Sequence, residues 1–141
     1  MKAYFDTSAL VPLLIAEAGT EVAGAAWDDA VRVVSVRLVY AEARAALAQA
    51  VRVGRITAAH HDRALDGLDD LIEQFDFVDV DDALVRTAGD LAQHHSLRAY
   101  DAVHLAAAVR VADTDLVLVA GDGALLTAAT AEGLATTTTT A

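Results

Sequence analysis

A chain of 141 residues, 55% hydrophobic and 22% charged, carries enough apolar material for one packed core and is not a disordered segment. Cysteine is absent, which excludes a disulfide framework and a thiolate metal site, and no stretch reaches the roughly 18 uninterrupted apolar residues of a membrane span. The formal net charge of −11 argues against a broad basic surface for nucleic acid, because phosphate neutralisation supplies most of such binding; carboxylates committed to a metal ion would nevertheless make the bare chain look more acidic than its loaded site.

In chain order, Lys2 to Phe5 reads as a first strand that ends at Asp6. The apolar run of MKAYFDTSALVPLLIAE is broken early by Asp6 and no small-residue cleavage site follows, so a signal peptide is not expected and the cytoplasm is the expected location. Two short helices are predicted over Ser8–Ala18 and Thr20–Asp29, parted by Gly19, with Pro12 tolerated near the start of the first. Arg32 to Ser35 is a second strand. A long helix follows from about Val36 to Val53 and stops at Gly54. Thr57 caps the next, in which Leu65, Leu68, Leu71, Ile72 and Phe75 keep helical spacing.

Phe77 to Val80 is a third predicted strand. Asp81 or Asp82 caps a helix to about His95, and another runs from about Ala99 to Ala112. Leu116 to Ala120, LVLVA, is a continuous apolar strand of the kind buried on both faces of a parallel sheet. Asp122-Gly123 opens a last helix that ends at Gly133, and a short strand is expected from Leu134 before the tail frays over 136–141. Strands alternating with helical crossovers make this an α/β chain, with a mainly parallel sheet and helices on both faces. Neither a linker nor an internal repeat divides it, so residues 1–141 read as one domain.

Ligands of open α/β sheets bind at the carboxyl ends of the strands. Asp6 stands there after the first strand, and Asp122 after LVLVA. Each has a plain alternative, as a helix N-cap for Asp6 and as Asp-Gly turn chemistry for Asp122. Glu42 and Asp101 lie inside helices. Glu42 shares a face with Leu38 and Ala46, which leaves it partly buried and in need of a cation or donor, with a neighbouring arginine such as Arg44, or a partner three or four residues away, as the plain alternative. Asp101 lies near a helix N-terminus, where the dipole alone favours a negative group. Gathered at one edge, four carboxylates would suit Mg²⁺ or Mn²⁺, and a metal pair of that kind activates water for phosphodiester cleavage. Spacing alone does not decide between these readings.

Four segments in order do more. FDTSALVPLLIAE, VVSVRLVYAEARAAL, LRAYDAVHLAAAV and LVLVAGDGALLTAATAEGL together resemble the acidic blocks of PIN-domain ribonucleases, particularly VapC-like toxins of toxin–antitoxin pairs. The resemblance implies a PIN-like three-layer α/β/α sandwich and an endoribonuclease in which Asp6, Glu42, Asp101 and Asp122 hold Mg²⁺ or Mn²⁺ and activate water. It also implies that Ser8 supports the first aspartate, that a cognate antitoxin protein binds the chain, and that the chain forms a homodimer. One departure stands out: the family often has Thr or Ser two positions before the fourth acid, where this chain has Ala120.

The remaining features are weaker. His60-His61 and His94-His95 are expected on the surface, and His104, one turn from Asp101, as a packed and hydrogen-bonded side chain. Trp27 and Tyr40 could stack a base, though packing is the simpler role. Leu10, Leu13, Leu14 and Val22 are candidate antitoxin contacts. Some of Arg37, Arg44, Arg52, Arg55 and Arg98, with Arg98 foremost, are expected to ring the acidic pocket and meet RNA phosphates, with the acidic excess elsewhere, for instance at Asp66, Asp69, Asp70 and Glu73. An aspartate-nucleophile phosphotransferase of the DxD form would need an acid at Ser8, and a receiver domain a late Lys, whereas the only lysine is Lys2. A PIN-like interaction module without catalysis is the remaining alternative.

Overall fold

The computed structural model describes residues 1–140. Strand β1 covers Lys2–Phe5, β2 Arg32–Val36, β3 Phe75–Val78, β4 Leu116–Ala120 and β5 Ala135–Thr138. Helices α1 (Thr7–Leu10) and α2 (Thr20–Asp29) link β1 to β2, and α3 (Leu38–Arg52) and α4 (Ala58–Ile72) link β2 to β3. Helices α5 (Asp82–His95) and α6 (Ala99–Arg110) link β3 to β4, and α7 (Gly123–Ala131) links β4 to β5. The sheet runs β3-β2-β1-β4-β5, and all four pairings are parallel. The chain therefore winds outward from a central β1 in one direction through β3, then crosses back and winds outward in the other.

Alternation along the strands sends side chains to two cores. Tyr4, Val34, Val36 and Leu118 pack with Leu84, Ala88, Leu105 and Leu125 of α5, α6 and α7. Ala3, Phe5, Val33, Phe75 and Val119 pack on the opposite face with Leu10, Val39, Ala43, Leu47 and Leu68 of α1, α3 and α4. The result is the expected α/β/α sandwich.

Three local expectations need correction. The first helix does not reach Ala18: α1 ends at Leu10 and tightens into a 3₁₀ turn over Val11–Leu13. Pro12 has no N–H to return to the preceding turn, so an α-helix cannot run through it. Strand β3 begins at Phe75, two residues before the predicted start, and Phe75 belongs to the sheet rather than to α4. Its spacing of three from Ile72 imitates a helix, but Phe75 lies opposite Val33 and edge-on to Phe5 and Trp27. Leu10 is fully buried in the second core and has no surface to offer a partner, whereas Val22 is exposed.

The helix stops fall where expected. Gly54 adopts φ +78 just past α3, a conformation that costs a side-chain-bearing residue about 1 kcal/mol or more. Thr57 caps α4 by accepting from the His60 amide, and Asp81 caps α5 by accepting from Leu84. The tail pairs with β4 from Ala135 to Thr138, and the Thr139 amide extends the ladder to Ala120 O at 3.0 Å. Ala141, the end of the segment expected to fray, lies outside the described residues.

Candidate active site

Strands β1 and β4 are neighbours, and the winding reverses between them. At such a switch point the loops leaving the two strands diverge and open a crevice. Asp6 leaves β1 and Asp122 follows β4 by two residues; α3 and α6 bring Glu42 and Asp101 to the same edge. All four carboxylates line one cleft of ≈ 470 Å³.

Asp6 holds both roles open to it. Its side chain caps α1, accepting from the Ala9 amide at 3.1 Å, and it accepts from Ser8 Oγ at 2.7 and 2.9 Å. Ser8 Oγ in turn accepts from the Gly121 amide at 2.7 Å, which ties the loop after β1 to the loop after β4. Gly121 suits the close approach there: a Cβ would stand 2.7 Å from Thr139 Oγ1, so the threonine side chain would have to shift. Asp6 is only 3% exposed, and burial pushes its carboxyl up to about 6. The nearby His104 ring and the hydrogen bonds from Ser8 and Ala9 act in the opposite direction without cancelling that burial.

Glu42 is partly buried, as its helix face predicts, but Arg44 is not its partner. Two residues apart on a helix, these side chains diverge, and Arg44 donates to Tyr40 Oη and lies over its ring. Glu42 Oε1 instead meets His104 Nε2 at 2.7 Å. His104 is thus the buried, hydrogen-bonded histidine expected from its position.

Asp101 and Asp122 share one guanidinium. Arg98 Nε lies 3.2 Å from Asp101 and Nη2 3.4 Å from Asp122, with Arg98 itself 82% exposed. The two carboxylates raise the guanidinium pKa further, chiefly through the hydrogen bond to Asp101. Asp122 also caps α7 through the Leu125 amide at 3.1 Å. Arg55 lines the far side of the cleft, paired with Glu17 at 3.5 Å.

The other arginines lie apart from the cleft. Arg37 faces Asp79 and Phe77, and Arg52 donates to Gln49. Of the expected basic ring, two members are in place. The acidic excess is indeed elsewhere: Asp66, Asp69, Asp70 and Glu73 are all exposed on and just beyond α4. Trp27 packs edge-on against Phe5 and Phe75, a core role. His95 is less exposed than expected and pairs with Glu132 at 2.8 Å.

Sequence reasoning missed the walls. Gly19, Gly121, Thr139 and Thr140 all line the cleft. The close approach at Gly121 had a signal, a small residue between the end of LVLVA and an acid. The threonine tail had none, because low complexity is silent about where a strand docks.

Among the described residues, no three His, Cys, Asp or Glu side chains stand close enough to form a ready-made metal cage. Three of the four carboxylates are engaged by protein cations or donors instead, Asp101 and Asp122 by Arg98 and Glu42 by His104. The donor set still fits Mg²⁺ or Mn²⁺: it is entirely oxygen, and Mg²⁺ keeps several waters and needs only one or two carboxylates directly. Asp6, a buried carboxylate with no full positive charge among its hydrogen-bond partners, is the strongest sign that a cation belongs in the cleft.

Fold and site together define a doubly wound α/β/α protein with an acidic cleft at the carboxyl edge of its sheet. The profile of the PIN domain family matches residues 3–130, and the chain belongs to that family. It is 42% identical over 130 residues to the ribonuclease VapC45 of Mycobacterium tuberculosis, covering 92% of this chain and 90% of the relative. Two crystal structures share the fold. PAE2754 from Pyrobaculum aerophilum does so with a TM-score of 0.66 at 24% identity, over 96% of this chain and 83% of that one. VapBC-5 of Mycobacterium tuberculosis, a member of the VapBC family of toxin-antitoxin systems, does so with a TM-score of 0.64 at 19% identity, over 97% and 98%.

Proposed function

We propose that the chain is a Mg²⁺- or Mn²⁺-dependent endoribonuclease and the toxin of a toxin–antitoxin pair, built as one PIN domain over residues 1–141. The observation that carries this reading is the convergence of Asp6, Glu42, Asp101 and Asp122 from four separate segments on one cleft. The 42% identity to a named ribonuclease supports the same conclusion.

When bound, the divalent cation supplies Lewis acidity for the phosphoryl oxygens and lowers the pKa of water at the scissile phosphate. The protein's own groups do the rest. Asp6, Glu42, Asp101 and Asp122 would hold the cation and order the attacking water. Ser8 keeps Asp6 in place through two contacts and is itself held by the Gly121 amide. Arg98, free to swing because its side chain is mostly in solvent, meets the RNA backbone, and Arg55 offers a second cationic contact across the cleft.

The partners that follow are an RNA substrate, a cognate antitoxin protein and a second copy of the chain. Leu13, Leu14 and exposed Val22 remain as antitoxin contacts after burial removes Leu10. No helix among the described residues is long and apolar enough to cross a membrane, and the absence of cysteine suits the cytoplasm.

Incubation of the purified protein with total RNA, with and without Mg²⁺ or Mn²⁺, followed by mapping of the cut ends, tests the proposal. Cation-dependent cuts at defined sites are expected. One observation favours the alternative of a PIN-like interaction module, namely that Arg98 already pairs with two of the acids. Thermal unfolding separates the two readings: millimolar Mn²⁺ raises the midpoint of a metal-binding enzyme by mass action and leaves the module unchanged.

A further inference from the structure

Three of the four carboxylates sit on separate segments, Asp6 after β1, Glu42 on α3 and Asp101 on α6. One buried chain of hydrogen bonds ties the same three segments together. Tyr4, two residues before Asp6, places its hydroxyl 2.8 Å from His104 Nδ1. His104, one turn beyond Asp101, places Nε2 2.7 Å from Glu42 Oε1. Tyr4 is 0% and His104 1% exposed, so water does not compete for the bond between them, whereas Glu42 reaches the cleft with its side chain 23% exposed.

The end of this chain at Glu42 sets the direction of its bond: a carboxylate can only accept, so Nε2 carries a hydrogen and donates it to Glu42. The Tyr4 hydroxyl can donate or accept, so it engages Nδ1 whether or not that nitrogen carries a proton. A ring held by one end alone could pivot about its side-chain bonds; held by both, it presents Nε2 at a fixed point.

We infer that His104, oriented by Tyr4, is a positioning residue for Glu42: it engages Oε1 and leaves Oε2 for the divalent cation. The inference rests on the metal-dependent reading proposed above. It assigns a role to a histidine that packing alone would otherwise explain. Second partners of metal-ligating groups work in this way, fixing the ligand's orientation before the ion arrives.

Manganese affinity of the full chain, measured by isothermal titration calorimetry with circular dichroism to verify folding, tests it. His104→Phe fills the space of the ring without a donor, and Mn²⁺ binding should weaken about 10–100-fold. His104→Gln places an amide nitrogen close to where Nε2 stood and should recover most of that affinity. A purely packing role gives the opposite order, with Phe near wild type and Gln worse, and that order overturns the inference. Nitrogen-15 spectra of the wild-type ring should show Nε2 protonated, with its signal shifted in Tyr4→Phe. A ring protonated on Nδ1 alone also overturns it, and this readout needs no His104 variant to fold. Asp6→Asn separates the two levels of the argument. If it loses Mn²⁺ while His104→Phe does not, the inference alone falls; if Asp6→Asn binds Mn²⁺ as wild type does, the metal-dependent reading falls and takes the inference with it.

Discussion

On the closed side of the cleft, Asp6 and Glu42 are held by a hydroxyl, an amide and an imidazole that are fixed in the fold. On the open side, Asp101 and Asp122 are no more exposed than Glu42, but they share a guanidinium that is mostly in solvent. Burial of Asp6 and of His104 strengthens the contacts on the closed side and leaves Asp6 strained toward protonation. On the open side, water and salt weaken the Arg98 pairs to roughly 0–1 kcal/mol, so they come apart at little cost. The contrast assigns work: the closed side fixes geometry, and the open side exchanges partners.

Asp6→Asn should break the closed side with the largest effect. Removing a direct ligand should cost more than the 10–100-fold typical of a supporting residue, so RNA cleavage should fall by at least about 100-fold. Asparagine also caps helices well, so the fold should survive. Stability of the metal-free protein should move the other way. The folded-state pKa of Asp6 is about 6, above the usual value of 3.8, so the folded chain binds the extra proton between those two values. Stability from this group is then fully present below pH 4 and lost as pH rises through 6, by up to about 3 kcal/mol. Denaturant unfolding in EDTA should find Asp6→Asn more stable than wild type at pH 7 and equal to it near pH 4. Equal stability at both pH values would show that Asp6 carries no burial penalty.

Gly121→Ala probes the seam between the two sides. Its Cβ would meet Thr139 Oγ1 at 2.7 Å, and overpacking of this kind costs about 1–3 kcal/mol. Because the Gly121 amide holds Ser8, cleavage should drop together with the unfolding midpoint.

Arg98→Ala tests the open side and should act more gently. Cleavage of all substrates should weaken to a similar degree, and the salt slope should flatten by about one phosphate contact. Stability should change by less than about 1 kcal/mol. Substrate-dependent losses would mean that Arg98 reads bases rather than phosphates.

The smallest effect belongs to a control outside the cleft. Asp81 pairs with Arg110 through two contacts of 2.9 Å, and the Arg110 guanidinium lowers its carboxyl to about 2. A depressed folded pKa stabilises above the unfolded value and ceases to do so as pH falls through 2. Asp81→Asn keeps the cap on α5, so it should leave cleavage intact. Its small stability deficit at pH 7 should disappear near pH 2.

The sequence conveyed the closed side less completely than the open one. Strand ends were legible because AYF and LVLVA each stop at a polar break, which put Asp6 and Asp122 at the sheet edge. The partial burial of Glu42 followed from its helix face. Its partner did not, because His104 lies 62 residues away and helical spacing speaks only of neighbours. Phe75 was misread because one spacing of three satisfies a helix while the alternation of FDFV satisfies a strand; long-range pairing with Val33 decided it. Pro12 carried the information that shortened the first helix, but its place relative to the true helix start had to be seen.

The central position of β1 has a temporal consequence during synthesis. Asp6 is made more than a hundred residues before β4, yet its amide bonds Val119 O and its Ser8 support comes from the Gly121 amide. Of the two strands that flank β1, β2 is made early and β4 late. The cleft therefore stays open-sided until the stretch around residues 116–122 has emerged. Parallel pairing across so long a separation is also slow to form. Completion of the acidic cleft is thereby tied to the arrival of β4, which follows β1, α3 and α6 in the chain.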